Sequence, residues 1–266
     1  MAKESCQSEL QKLLGERIAI LDGAMGTTIR DYRLNEQAAR GERFRDSIKD
    51  LLNNGDILSL TQPDIIGDIH KRFFEAGADI ATTNTFSATT LAQSEFFVED
   101  PRTEGKGRKD PDFFQKIIED RFLRELTLEM NVESARLCRQ WADRMAEETG
   151  VKRYVAGAIG PLTVSLSQSP DADDAGFRSV TFDQVVLAYR DQVRGLIDGG
   201  CDLLLVETIF DTLNAKAAVY AIMQYREDTG HDIPHMISGT FADASLRMLT
   251  GQNAEAMVIS LSHGNP

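Results

Sequence analysis

Leu196–Thr208 reads LIDGGCDLLLVET. The end of an apolar helix gives way to Gly199 and Gly200, then to Cys201-Asp202. A run of Leu203-Leu204-Leu205-Val206 follows and stops at a carboxylate, Glu207. Phe73–Asn84, FFEAGADIATTN, repeats the order: apolar helix end, acid, small residue, Gly77, Asp79, apolar run. Gly77 and Gly199/Gly200 fall where a helix C-cap needs positive φ. Repeated units of helix, tight turn and strand predict parallel strands joined by crossovers, hence an α/β protein.

Outward from these junctions, strands are expected at Ile18–Leu21, Ile80–Thr83, Tyr154–Ala158, Leu203–Glu207 and His235–Ser238. Helices are expected at Pro63–Ala76, Arg124–Thr149, Phe182–Asp198, Leu213–Thr229 and Ala254–His263. In the second of these, Leu126, Met130, Leu137, Trp141 and Met145 form a stripe that packs on a sheet. A doubly wound sheet and a (β/α)8 barrel both fit this alternation. The strand ends favour the barrel. They read Asp22-Gly23, Thr83-Asn84-Thr85, Gly160-Pro161, Glu207-Thr208 and Ser238-Gly239-Thr240, polar and small where a barrel gathers its functional loops. DGAMGT after the first strand spaces its glycines wrongly for the dinucleotide fingerprint of a doubly wound fold. About five βα units do not close eight strands, so the expectation is a (β/α)8 TIM-type barrel incomplete at its C-terminus, one domain over 1–266. Glu99–Lys116, rich in Pro, Gly and charge, reads as an inserted surface loop.

The 266 residues carry a net charge of −13, which disfavours nucleic-acid and anionic-membrane partners. No apolar run approaches the roughly 18 residues of a membrane span. The mixed charges of residues 1–21 do not make a secretory signal, and a cytoplasmic protein is expected. Cys6, Cys138 and Cys201 are widely spaced, with no CxxC, so neither a disulfide framework nor a metal site is read from them. His70, His231, His235 and His263 form no metal or triad pattern.

Asp22 and Glu207 are the carboxylates placed immediately at strand ends. Paired acids in a barrel mouth hold a divalent metal, act as acid and base, or grip an ammonium group. Asn84 and Ser238 add neutral hydrogen bonds, while Gly23, Gly26 and Gly239 leave backbone N–H groups open to a carboxylate. Acids for an ammonium beside bare amides for a carboxylate describe an amino-acid pocket. A structural role for each residue is the competing reading, as when Asp22-Gly23 merely closes a turn.

Seven motifs then occur in order: LDGAMGT from Leu21, LNE…RGERF from Leu34, DILSLTQPDIIGDIH from Asp56, AGADIATTNTF from Ala76, VAGAIGP from Val155, VETIFDTLNAKAA from Val206 and MISGTFADASLRMLTGQ from Met236. Together they closely resemble the N-terminal homocysteine-binding domain of cobalamin-dependent methionine synthase, from about Leu14 to Pro266. The resemblance implies a (β/α)8 barrel in which zinc keeps the homocysteine thiol deprotonated for attack on methylcobalamin, with methyltetrahydrofolate recharging the cofactor. By motif, it implies that Asp22 and Glu207 receive the substrate's amino group, with Gly23, Asn84, Ser238 and Gly239 around its polar end. It also implies folate-, cobalamin- and activation-type domains as partners.

Departures from the family pattern are Thr82 where an acid is usual, Leu162-Thr163 where Thr-Asn follows GAIGP, and Leu246 where Gly is usual. The three zinc cysteines of the family are matched by none of Cys6, Cys138 and Cys201; their motif positions lie beyond Pro266. No catalytic residue and no complete zinc or cobalamin site is therefore read from this sequence, and a piece of a longer product, inactive alone, is expected. The rivals are another zinc-dependent homocysteine methyltransferase, with methylmethionine or betaine as donor, and a non-catalytic binding module. A phosphate-handling barrel is disfavoured, because its loops follow strands seven and eight.

Overall fold

A computed structural model describes residues 6–103, 107–241 and 244–266. Helices α1 (Cys6–Glu16), α2 (Met25–Asp31), α3 (Glu36–Arg40), α4 (Leu58–Thr61) and α5 (Pro63–Glu75) precede strand β1 (Ile80–Thr82). Helices α6 (Thr90–Phe97), α7 (Pro111–Glu119) and α8 (Arg121–Thr149) lead to β2 (Tyr154–Ile159). Strict alternation follows: α9 (Phe182–Asp198), β3 (Leu203–Ile209), α10 (Thr212–Thr229), β4 (His235–Gly239) and α11 (Ala254–Leu261).

The strands form one parallel sheet in the order β1-β2-β3-β4. Neighbours in sequence are neighbours in space, with none of the order reversal of a doubly wound sheet. Helices α5, α8, α9 and α10 pack each against the next along one face. A one-sided helix layer on consecutive parallel strands is (β/α)8 architecture, here an open section of the barrel. Strand alternation assigns the faces. Ala81, Val155, Leu204 and Val206 pack towards the helices, and Ile80, Tyr154, Ala156, Leu203 and Leu205 form the inner face. Leu10 of α1 is buried on that inner face beside Ile80, Tyr154 and Leu203, the residues that open their strands, so α1 covers the N-terminal end of the sheet.

The expected strand Ile18–Leu21 is a single parallel bridge, Leu21 to Ile80, flanked by Asp79 N donating to Ile20 O at 2.8 Å and Asp22 N to Ile80 O at 2.9 Å. Ala19 packs on the inner-face cluster, but Ile18 and Ile20 are exposed, at 83 % and 52 %, and the ladder goes no further. Residues 99–116 are not all loop: α7 begins at Pro111. The Asp110 carboxylate accepts from Phe113 N at 2.9 Å as N-cap, and Phe114, Ile117 and Ile118 are buried. Residues 104–106 lie outside the described part. Asp120 caps α8 in the same way, which moves its start from the expected Arg124 to Arg121. Helix α11 ends at Leu261, and Ser262–Gly264 form a 3-10 turn.

Gly77 and Gly200 take the positive φ that their C-cap positions demand, +107° and +98°. Gly199 does not. A side chain there would lie 2.5 Å from Ala135 Cβ, so this glycine lets α9 approach α8. Leu246 also has positive φ, +55°, with its side chain largely in solvent. Left-handed backbone costs a leucine about 1–2 kcal/mol, and part of that returns as chain entropy when glycine replaces it. Leu246→Gly is expected to raise unfolding stability by about 1 kcal/mol in a urea titration. A loss of stability would show that the side chain is needed.

Candidate functional site at the strand ends

A cleft of about 870 Å³ opens at the C-terminal end of the sheet. One lip is Leu21–Thr27, the glycine-rich stretch after the Leu21 bridge, and the opposite wall is Thr82–Ser87, running out of β1. Glu207 reaches in from β3, and Asp56 comes from the turn before α4. Arg30 and Arg33 line its exposed side.

The short bridge at Leu21 turns the Asp22 carboxylate onto the end of β1. There Asp22 Oδ2 accepts from Thr82 N at 2.9 Å and Oδ1 from the Thr82 hydroxyl at 3.0 Å. The unusual Thr82 is thus a donor to Asp22, whereas an ionised acid could not donate. Burial pushes the Asp22 carboxyl up to about 7, against the Thr82 hydrogen bonds and with help from the charge of Glu207. Glu207 is raised in the same direction by burial, opposed by the hydroxyl of Thr208. Thr208 holds φ +56°, a costly conformation for a β-branched residue, where the register of β3 against β4 shifts between Val206 and Ile209. Such an irregularity re-aims the side chains beside it, and here that neighbour is Glu207.

Asp56 is buried, and burial carries it to about 7 as well, opposed by the N–H groups of Ser87 and Phe86 and reinforced by Glu207. Three carboxylates on separate segments thus share one cleft, and desolvation disfavours the charge of each. A cation bound beside any of them would offset that cost.

Asp22, Gly23, Asn84 and Glu207 all line this cleft. Asn84 commits its amide N–H groups to Gly55 O at 2.8 Å and Ser59 Oγ at 3.1 Å, so it laces the wall together with its donors. Ser238 and Gly239 are not among the lining residues. They end β4, where a side chain on Gly239 would meet Met257 Sδ of α11 at 2.2 Å, while the cleft lies over the Leu21 bridge, β1 and β3. Asp56 and Thr208 had no signal in strand periodicity. Asp56 leaves its trace in sequence as the first residue of the DILSLTQPDIIGDIH motif, at the end of the polar run Asn53-Asn54-Gly55-Asp56.

Asp211 braces the neighbouring loops. Its carboxylate caps α10 by accepting from Leu213 N at 2.9 Å and holds the loop after β2 through Ser165 Oγ at 2.5 Å and Ser167 Oγ at 2.7 Å. Burial works to raise this acid, but the hydrogen bonds outweigh it and hold it below the usual carboxylate range.

Among the described residues, no three His, Cys, Asp or Glu side chains converge to hold a metal ion. Cys138 is buried, with its thiol 3.8 Å from Ala81 O, and Cys201 lies before the start of β3, at the end of the sheet away from the cleft. Burial pushes both thiols up, which disfavours the thiolate a zinc ion needs. The side chain of Cys6 is outside the described part. His70 is fully buried with neither ring nitrogen bonded, and burial draws it down to about 4. His235 is buried against Arg226, with Nδ1 3.0 Å from its guanidinium. These residues do not fit a zinc site. Among them, too, no helix is long and apolar enough to cross a membrane.

A family model described as homocysteine S-methyltransferase matches residues 19–266. The chain belongs to the homocysteine S-methyltransferase family. The matched span takes in the Leu21–Thr27 lip, all the strands and the cleft acids. Solved structures similar to this homocysteine S-methyltransferase chain include the Escherichia coli homocysteine methyltransferase MmuM. Its metallated form has a TM-score of 0.65 and 20 % identity, over 96 % of this chain and 74 % of that one. Its apo form has a TM-score of 0.60 and 19 % identity, over 96 % and 71 %. At such identity the likeness carries the barrel fold.

Proposed function

We propose that the cleft is part of the homocysteine pocket of a methionine synthase, with Asp22 and Glu207 receiving the substrate's ammonium group. The observation that carries this is two strand-end carboxylates facing one cleft in a member of this family. Thr82 holds both oxygens of Asp22, and Thr208 holds Glu207, so each acid waits in place. An arriving ammonium favours the ionised form of both, and the contacts become charge-assisted hydrogen bonds. The exposed glycine backbone from Gly23, with the Phe73 ring on one side, to the open Gly26 suits the α-carboxylate. Ser238 and Gly239, implied by motif, would have to act from outside the cleft walls.

The complete reaction in this reading moves a methyl group from methylcobalamin, recharged by methyltetrahydrofolate on other domains, to homocysteine sulfur. The segments RGERF and DILSLTQP favour that donor over methylmethionine or betaine. Zinc would lower the thiol's pKa, but the described residues supply no ligand set for it, so this chain's part is to bind and orient the amino-acid end. The same mismatch favours, as second reading, a binding module without a metal of its own.

Calorimetry with homocysteine between pH 6 and 8 tests the assignment. The Asp22 carboxyl is protonated below about 7 and charged above it, so affinity is expected to rise with pH across this window. Asp22→Asn is expected to weaken binding and flatten most of the rise. Affinity that falls with pH, or ignores the substitution, rejects the role. Tight binding that zinc does not change would favour the binding-module reading.

A further inference from the structure

Asp56 belongs to none of the roles above, yet it joins two walls of the cleft. Its Oδ2 accepts from Ser87 N, and the N–H of Phe86 points to the same carboxylate. The segments on either side of that contact are stitched by buried amides. Asn54 Nδ2 donates to Gln93 Oε1 at 2.7 Å, and Gln93 Nε2 donates to Ser87 O at 3.0 Å. Asn84 Nδ2 donates to Gly55 O. From the other side, Phe86 O sits where a side chain on Gly160 would be, 2.2 Å from the position of its Cβ. The wall Asn84–Ser87 is therefore pulled by Asp56 and admitted by Gly160. Phe86, 41 % exposed, is presented to the cleft as a result.

Among the described residues no cation pairs with this buried carboxylate, and the Ser87 N–H, with that of Phe86 aimed at the same group, is what offsets the cost. We propose that Asp56 is a positioning residue: by gripping Phe86 and Ser87 it sets the Asn84–Ser87 wall that faces Glu207 and so fixes the width of the pocket at the substrate's ammonium end. The part concerning ligand rests on the homocysteine reading; the grip itself does not. The charged groups around it are Glu207 and Asp22 across the cleft and Arg30 and Arg33 at its open side.

The grip is tested without ligand, by NMR on the full chain. The Ser87 amide proton is expected far downfield, protected from exchange, and shifting as Asp56 titrates, with protection falling at least tenfold in Asp56→Ala. An unprotected, non-titrating Ser87 amide in the unsubstituted protein overturns the proposal, whether or not the alanine variant folds. With homocysteine, Asp56→Asn keeps an acceptor oxygen and is expected to bind within about threefold of the parent, whereas Asp56→Ala loses about tenfold or more. Equal losses in both variants, with Ser87 still protected in Asp56→Asn, would show that the charge itself holds the ligand and would also overturn it. Failure of the parent to bind homocysteine sinks the substrate reading, and the amide titration then decides the grip alone.

Discussion

Glu207→Gln is expected to weaken homocysteine binding by about 1–3 kcal/mol, roughly 5- to 150-fold, at pH 8. Glutamine keeps the size of the side chain and an oxygen for the Thr208 hydroxyl, but it removes the charge that meets the ammonium group. The fold should not suffer. Burial already raises Glu207, so the folded state prefers it neutral. The sign follows: an acid raised on folding makes stability fall as pH climbs from its unfolded pKa towards its folded one. Above that window glutamine relieves the cost, and Glu207→Gln should be as stable as its parent or more so. Binding and stability thus move in opposite directions, a pattern a structural residue would not give. Calorimetry and urea unfolding on the same preparation measure both. Undiminished affinity would remove Glu207 from the pocket.

Gly160→Ala is expected to cost about 3 kcal/mol of stability, the upper end for overpacking. The obstacle is main chain, Phe86 O at 2.2 Å and Phe86 C at 3.0 Å, with the Phe86 ring at 2.9 Å. Neither side is free to retreat. Asp56 holds Phe86 and Ser87, while the Gly160 carbonyl accepts from the buried Tyr189 hydroxyl at 3.1 Å. Relief would have to come from moving the Phe86 wall, so the variant should also bind homocysteine less tightly. Urea unfolding at parental stability would show that the wall yields cheaply.

The barrel was legible because its evidence is local. Gly77 and Gly200 mark the helix ends, runs such as Leu203–Val206 mark buried strands, and Asp22 and Glu207 interrupt apolar segments where a strand meets its loop. What escaped depends on neighbours distant in sequence. Ile18–Leu21 has strand composition, yet its exposed side has nothing to pair with, and one bridge is what forms. Pro111–Glu119 was hidden by the charged residues before it, although Asp110-Pro111 and the apolar pairs Phe113-Phe114 and Ile117-Ile118 are a helix signature in themselves. Ser238-Gly239 shares the polar-plus-small ending of the other strands, and no strand-end pattern tells which ends a cleft will collect. Asp56 meets Ser87 across 31 residues, beyond any periodicity. Thr208 reads as an ordinary strand residue, and its φ of +56° is set by the bulge, not by its identity.

Helix α1 lies across the strand beginnings with Leu10 buried there, so in this open section of the barrel the sheet is covered at that end and the cleft opens at the other. In the proposed reading, homocysteine held by its ammonium group between Asp22 and Glu207 would turn its sulfur outward. On that reading, methyl donor and amino acid would approach from the same side of the sheet, and an ordered sequence, amino acid before donor, is the kinetic pattern to expect.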